Sequence, residues 1–308
     1  MIKKALIVLI EGDLCCIFVL MKQLVIFGNT YHKGDIKRVL GLLDHLRRQG
    51  LEVAVERDYL DYLRASGEAV DLPSFEAQWV PMSDMALSLG GDGTFLTTVM
   101  WVSRLGMPIL GVNLGHLGYL TAGGLDEHGH MIDDVLAGNY HIEERTMLQV
   151  ACDAVEIAHP WALNEIAILR HDTSSMLDME TQLRGHELTT YRGDGLIVST
   201  PTGSTAYNMS VGGPILEPTT SCLVLSPISP HSLTMRPLVV SDDSEIVVRT
   251  HSRADHYEVS IDGEVTLCPT GSSLTIARAP YCARVVQHMG NNFASTLRQK
   301  LLWGTDQR

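Results

Sequence analysis

The chain has 308 residues, 45% hydrophobic and 19% charged. That is enough to bury the cores of about two domains, and it is unlike a disordered polymer. The formal charge of −13 and an isoelectric point near 5.4 argue against a partner that needs a broad basic surface, whether nucleic acid or an anionic membrane. Six cysteines, Cys15, Cys16, Cys152, Cys222, Cys268 and Cys282, form no C-x-x-C pair and no zinc spacing, and they read as reduced thiols of a cytoplasmic protein.

In chain order, Lys3 and Lys4 precede an apolar run that Glu11, Gly12 and Asp13 interrupt. Neither half, 5–10 or 14–20, reaches the ~18–20 apolar residues of a membrane span. Met21 then opens a clean strand pattern, so residues 1–20 are expected to be an extension upstream of the true start; N-terminal sequencing tests this. Residues 22–28 read as a buried strand ending in a turn glycine. Asp35 suits the cap of a helix in which Val39, Leu42, Leu43 and Leu46 recur at helical spacing until Gly50. Strands are expected at 51–55 and 85–89. The latter runs into Gly90-Gly91-Asp92-Gly93-Thr94, after which Phe95, Val99, Val102 and Leu105 space a helix, and 109–112 is a further strand. Strands alternating with helices predict a parallel sheet covered on both faces.

Near residue 140 the pattern changes. Short, often β-branched segments at 146–152, 162–169, 179–183, 196–199, 222–225, 245–250, 257–261 and 273–276 are separated by Gly, Pro, Asp and Ser clusters, as in an all-β domain. Residues 293–303 are expected to be helical, with Leu297, Leu301 and Leu302 on one side. The expected architecture is an α/β N-terminal domain with a parallel sheet over 21–141 and 280–308, and a β-rich C-terminal domain over 142–279. The tail returns to the first domain.

Three stretches carry chemistry. The turn 90–94 lies between a strand and a helix, where α/β sheets bind ligands and where unpaired amides of a helix N-terminus attract phosphate. Gly90, Gly91 and Gly93 allow close approach and positive φ. Asp92 would repel phosphate unless it faces a metal ion or an acceptor hydroxyl, the two roles that phosphoryl transfer requires; an Asp chosen for turn geometry is the alternative. No G-x-x-x-x-G-K-[ST] and no G-x-G-x-x-G occurs, which disfavours P-loop and Rossmann enzymes. Asn164-Glu165 sits inside the apolar run 161–169, where alternation would send one side chain to each face. Asn suits an adenine edge and Glu accepts from ribose hydroxyls, unless the pair merely ends a strand at the surface. The run from Arg192 to Asn208 delivers a strand into a loop of hydroxyls and glycines and then a short helix. Thr202, Ser204 and Thr205 are small donors and acceptors, Tyr207 offers a flat ring for a nucleoside, and Asp194 could accept from a carboxamide. A purely structural Ser/Thr/Gly loop is the alternative.

The GGDGT turn, the NE pair, the run DGLIVSTPTGSTAY and the later Pro230-His231-Ser232-Leu233 and Arg236-Pro237-Leu238 resemble, in this order, the NAD kinases, over roughly residues 22–302. GGDGT alone is shared with diacylglycerol and sphingosine kinases; the other motifs point to NAD kinase. The resemblance implies ATP-dependent phosphorylation of NAD to NADP, a divalent ion such as Mg²⁺, and a homodimer or homotetramer. It implies that Asp92 contacts the adenosine ribose and activates its 2′-hydroxyl, and that Asn164 and Glu165 hold adenine and ribose groups. Gly93, Thr202, Thr205, Ala206, Tyr207 and Ser210 would line the NAD site beside Gly90, Gly91 and Thr94 of the phosphate turn. Asp194 would lie near the nicotinamide end, and Arg192 stands where relatives carry a residue affecting selectivity between oxidised and reduced dinucleotide. Tyr119 would contact adenine where many relatives have Phe, and Gly263 replaces a His found in some. The alternatives are a lipid kinase sharing the turn and a non-catalytic NAD(P) sensor.

Overall fold

The computed structural model describes residues 4–10, 13–19, 21–30, 36–67, 70–114, 118–124, 128–172, 175–289 and 292–303. They divide into two compact units: 1–143 with 284–308, and 144–283. The first two strands, β1 (Lys4–Ile10) and β2 (Asp13–Val19), pair antiparallel as a sheet of their own. They are the two apolar halves of the N-terminal segment.

The first unit is built on a parallel sheet. Its strands are β3 (Gln23–Gly28), β4 (Glu52–Glu56), β5 (Ser74–Phe75), β6 (Met85–Leu89), β7 (Pro108–Asn113), β8 (Ala122–Gly124) and β9 (Tyr140–Arg145). The late strand β22 (Ala283–His288) joins them, and the spatial order is β5-β4-β3-β6-β7-β22-β9, with β8 beside β7. Strand β22 runs parallel to β7, so the tail does return to this unit. Alternation explains the burial of both faces. Leu24, Ile26, Met85, Leu87, Leu89, Leu110 and Val112 point into one core with helices α1 (Ile36–Arg48), α2 (Arg57–Ala65) and α4 (His128–Leu136). On the other face, Phe95 of helix α3 (Asp92–Val102) lies against Gly111 so closely that a Cβ there would come within 2.8 Å of the ring.

Two helical expectations are corrected. Helix α3 stops at Val102; a 3-10 turn takes Ser103–Leu105 and a left-handed Gly106 ends it, leaving Leu105 exposed. The tail helix α6 (Phe293–Leu301) also ends before Leu302, whose positive φ puts it and Trp303 in solvent. Helices α2 and α4 escaped the pattern reading. Helix α2 has no Ser, Thr, Asp or Asn cap; the Glu56 carboxylate instead accepts from the amides of Asp58 and Tyr59. Asp35 lies outside the described residues.

The second unit contains two six-stranded antiparallel sheets. One is ordered β11-β10-β21-β18-β13-β14 and the other β17-β16-β15-β12-β19-β20. The first comprises β10 (Leu148–Cys152), β11 (Trp161–Ala162), β13 (Leu177–Leu183), β14 (His186–Gly193), β18 (Ile246–His251) and β21 (Ser273–Arg278). The second comprises β12 (Glu165–Arg170), β15 (Gly195–Ser199), β16 (Cys222–Ile228), β17 (Leu238–Ser241), β19 (His256–Ile261) and β20 (Glu264–Pro269). Inward residues of both, among them Leu148, Val248, Ile166, Val198, Leu225 and Val259, share one core. Strands β12 and β15 are buried on their other face too, where Ala167, Ile197 and Ile228 pack with Val211 of the segment after the hydroxyl-rich loop. Double burial is why this stretch reads as continuous apolar sequence rather than alternation.

Candidate functional site

In the first unit the site begins where β6 ends. The amide of Gly90 donates to the carbonyl of Val112 at 2.9 Å, and the carbonyl of Gly91, the N-cap of α3, accepts from Phe95. The first-turn amides of α3 therefore have no carbonyl partner within the helix and face outward with the positive end of its dipole. The three turn glycines are not left-handed, so positive φ is not their reason. Gly90 is needed for fit, since a Cβ would sit 2.3 Å from Thr94 Oγ1. At Gly91 and Gly93 a Cβ would meet nothing within 4 Å. No neighbouring atom requires glycine at those two positions, and without side chains there the helix end stays open.

Asp92 is fixed from the opposite side. Its Oδ2 accepts from the amide of Tyr119 at 2.7 Å and its Oδ1 from the amide of Leu120 at 2.9 Å. This 118–121 turn is close enough that a Cβ on Gly118 would lie 2.2 Å from Asp92 Oδ1. A carboxylate has about four lone-pair sites, so two remain for a ligand hydroxyl. Lys300 of α6 closes the turn: its Nζ donates to the carbonyls of Tyr119 at 3.1 Å and Thr121 at 2.6 Å. Burial pushes the Lys300 pKa down to about 8, against the pull of the Asp92 charge. Residues 115–117 lie outside the described residues.

In the second unit the NE pair is not inside a continuous strand. The run breaks between β11 and β12, and Asn164 sits in the break. The cause is Asp262, whose carboxylate takes the amides of Leu163 at 2.7 Å, Asn164 at 2.8 Å and Glu165 at 3.0 Å in place of a ladder. Asp262 itself adopts a left-handed φ of 48°, which Asp tolerates better than most residues. Burial raises its pKa to about 6 against those three amides. The Glu165 carboxyl is pushed further, to about 8, first by burial and then by the Asp262 charge, while the Tyr207 amide pulls it back.

The hydroxyl-rich loop folds onto this break. Thr200 donates its amide to the Asn164 carbonyl at 2.9 Å, and its Oγ1 bonds the Leu163 carbonyl and takes the Gly203 amide. Gly203 lies on the Asn164 backbone, where a Cβ would approach the carbonyl oxygen to 2.1 Å. Thr202–Thr205 forms a 3-10 turn, and α5 (Tyr207–Ser210) is the expected short helix. Asn164, Glu165, Thr202, Thr205, Ala206 and Tyr207 thus belong to one cluster. Two of its buried polar atoms, Glu165 Oε2 and Thr202 Oγ1, have no hydrogen-bond partner among the described residues, which marks groups that a ligand would satisfy. Ser210 is exposed at the end of α5.

Asp194 and Arg192 lie elsewhere. Strand β15 separates Asp194 from Thr200, about 16–20 Å at ~3.3 Å per residue. Asp194 pairs with Arg170 at 3.0 Å, and the exposed Arg192 is 3.4 Å from Asp178. Three residues that organise these two clusters, Lys300 and Gly118 in the first unit and Asn208 in the second, carried little sequence signal. Lys300 sits in no motif, Gly118 is one glycine among many, and Asn208 marked only the end of a run. Asn208 is fully buried, donates to the carbonyls of Ser204 and Pro214 at 3.1 Å each, and accepts from Ser226 at 2.6 Å.

A strand-to-helix anion turn with a pinned aspartate, in a chain whose second unit is an antiparallel β structure with a polar cluster, is the build of a GGDGT-type phosphotransferase. Comparison with known proteins is more specific. Residues 24–140 match the ATP-NAD kinase N-terminal domain and residues 163–288 the ATP-NAD kinase C-terminal domain. The chain is 42% identical over 294 residues to an NAD kinase of Bacteroides fragilis, covering 93% of this chain and 99% of that protein. It is 37% identical over 301 residues to an NAD kinase of Flavobacterium johnsoniae, with the same coverage. A crystal structure of an Archaeoglobus fulgidus NAD kinase in complex with ATP matches with a TM-score of 0.66 and 28% identity, over 90% of this chain and 99% of that one. Yeast NADH kinase, solved with NADH, shares the fold at a TM-score of 0.86 and 23% identity, covering 100% and 96%. The chain belongs to the NAD kinase family.

Proposed function

We propose that this protein transfers the terminal phosphoryl group of ATP, or of a related donor, to the 2′-hydroxyl of the adenosine ribose of NAD, giving NADP. The observation that carries the reading is the end of α3, where two glycines that no neighbouring atom requires flank a carboxylate fixed by two amides. Asp92 accepts the proton of the 2′-hydroxyl as its oxygen bonds the terminal phosphorus and the bond to the nucleoside diphosphate breaks. Gly90, Gly91, Gly93 and Thr94 let the donor phosphates approach the helix amides. Asn164 and Glu165 hold the adenine and ribose groups, Thr202, Thr205, Ala206 and Ser210 line the dinucleotide, Tyr207 and Tyr119 offer rings to it, and Asp194 serves the nicotinamide end. Arg192 bears on the choice between NAD and NADH.

A divalent ion, Mg²⁺, fits as part of the donor rather than as a resident of the protein. Among the described residues no group of three or more His, Cys, Asp or Glu could hold a metal. Magnesium bound through phosphates and one or two carboxylates needs no such group, and Asp92 is the carboxylate on the turn. When bound, the ion neutralises charge on the donor phosphates. The composition fits a cytoplasmic enzyme, and among the described residues no helix is long and apolar enough to cross a membrane. A homodimer or homotetramer is the assembly that the resemblance implies, and sedimentation measures it.

The reaction is tested with Mg-ATP and NAD coupled to an NADP-specific dehydrogenase, then with polyphosphate, with NADH, and with diacylglycerol as the control acceptor. We expect NADP formation and at least a ~100-fold loss of turnover in Asp92→Asn, in a chain that still folds, with the thermal midpoint lowered modestly because Asn can accept only one of the two amides that Asp92 holds. Dinucleotide binding without any NADP formation would make the protein a sensor, and near-normal turnover in the variant would remove Asp92 from the chemistry.

A further inference from the structure

Helix α6 is an unusual element to find bonded to a catalytic turn. Among its described residues none is fully buried, and its apolar side chains Phe293, Leu297 and Leu301 are only half-buried, so polar contacts matter to how it is held. Its N-terminus is closed by a capping box between Asn292 and Ser295. Its last turn sends Lys300 about 180 residues back along the chain to the 118–121 turn.

The contacts there are specific. Lys300 Nζ donates to the carbonyls of Tyr119 and Thr121, and it lies 5.9 Å from the centre of the Tyr119 ring. Those two carbonyls flank Leu120. The amides of Tyr119 and Leu120 point the other way, into the Asp92 carboxylate. The turn is therefore held between an ammonium group on its carbonyls and a carboxylate on its amides. The peptide between Tyr119 and Leu120 is held at both ends, its carbonyl by Lys300 and its amide by Asp92, and hydrogen bonds in such a chain polarise one another. A buried ammonium group costs free energy unless it is paired and hydrogen-bonded; a lysine tethering α6 to the surface would avoid that cost by staying in water. Here the two carbonyls and the Asp92 charge offset part of that cost. Gly118 completes the arrangement by leaving room for the Asp92 oxygen.

We propose that Lys300 is a positioning residue for phosphoryl transfer: by gripping the carbonyls of Tyr119 and Thr121 it orients the amides that hold Asp92 toward the acceptor hydroxyl. The proposal rests on Asp92 being the catalytic carboxylate. It makes the C-terminal helix a working part of the catalytic apparatus. Rotation or displacement of Asp92 by about 1 Å is the scale of misplacement that costs up to ~100-fold in rate.

The test compares wild type with Lys300→Met, which keeps the apolar stem and removes the donors, and Lys300→Arg, which restores charge and donors. We expect kcat of Lys300→Met to fall about 10- to 100-fold while KM for NAD stays within about threefold, and Lys300→Arg to recover most of the lost turnover. Residue-resolved hydrogen exchange supplies a readout independent of activity. The amides of Tyr119 and Leu120 should exchange about tenfold faster or more in Lys300→Met, with β7 amides unchanged, because loss of the carbonyl grip frees the turn to open locally. A lower thermal midpoint with unchanged kcat would make Lys300 a fold staple and overturn the proposal, as would unchanged exchange at the two amides. If the wild type forms no NADP, it is the reading of the whole site that fails, and the exchange experiment still decides whether Lys300 governs the Asp92 turn.

Discussion

Asp92 and Asp262 are both held by consecutive backbone amides, with different consequences. Asp262 takes three and is buried, so its acceptors are used within the protein and its effect is to bend the Leu163–Glu165 backbone. Asp92 takes two and keeps acceptor sites for a ligand. Gly93, the second residue of α3, separates structural from functional demand. Gly93→Ala should stabilise the helix by about 0.5–1 kcal/mol, because nothing in the fold obstructs a methyl there. The same methyl should lower kcat/KM for the donor about tenfold or more by keeping phosphate from the helix amides. Thermal midpoint and initial rates measured on one preparation check both signs, and unaltered kinetics would take the turn out of phosphate binding.

Glu165 supplies a pH test. Its carboxyl titrates near 8 in the folded chain against an ordinary value of 4.5, so between those values the folded state holds a proton that the unfolded state has released. Stability from this group is complete below about pH 4.5 and declines as pH rises toward 8. Glu165→Gln mimics the protonated form. Its thermal midpoint should match wild type near pH 4.5 and exceed it increasingly up to pH 8–9. A difference that does not change with pH would mean that Glu165 is not held protonated.

Among elements, the segment from Thr200 to Leu216 has the most to do with the site. It lies over the second face of β12 and β15 and is tied down by polar side chains more than by apolar ones. Asn208 is the centre of that network. Asn208→Ala would strand the Ser204 and Pro214 carbonyls and the Ser226 hydroxyl, at about 1–3 kcal/mol for each group left unsatisfied. We expect a lower denaturant midpoint together with a raised KM for NAD, since Thr205 to Ser210 would lose their anchor. A variant with wild-type KM would show that the segment is held by other contacts. At this scale α1 could be read from Val39, Leu42, Leu43 and Leu46 at helical spacing, and β3, β4, β6 and β7 from their apolar runs. Helix α2 could not, since its cap is a glutamate, and the break before β12 could not, since the Asp262 that causes it is about a hundred residues away.

For the whole molecule, the sequence by itself determined the class of fold, the two-part organisation and the three motif stretches. Those depend on local periodicity and on residue types placed within a few positions of each other, which one strand and one helix are enough to translate into geometry. Only the tertiary structure decided which groups act on those motifs from far along the chain. Lys300 and Tyr119 are 181 residues apart, Asp262 and Leu163 are 99 apart, and Asp194 is set off from the NE cluster by the length of β15. The tertiary structure also decided that Gly91 and Gly93 face open space while Gly90 does not. Hydrogen bonds and close approaches of this kind depend on where distant segments come to rest, and no periodicity in the sequence encodes that.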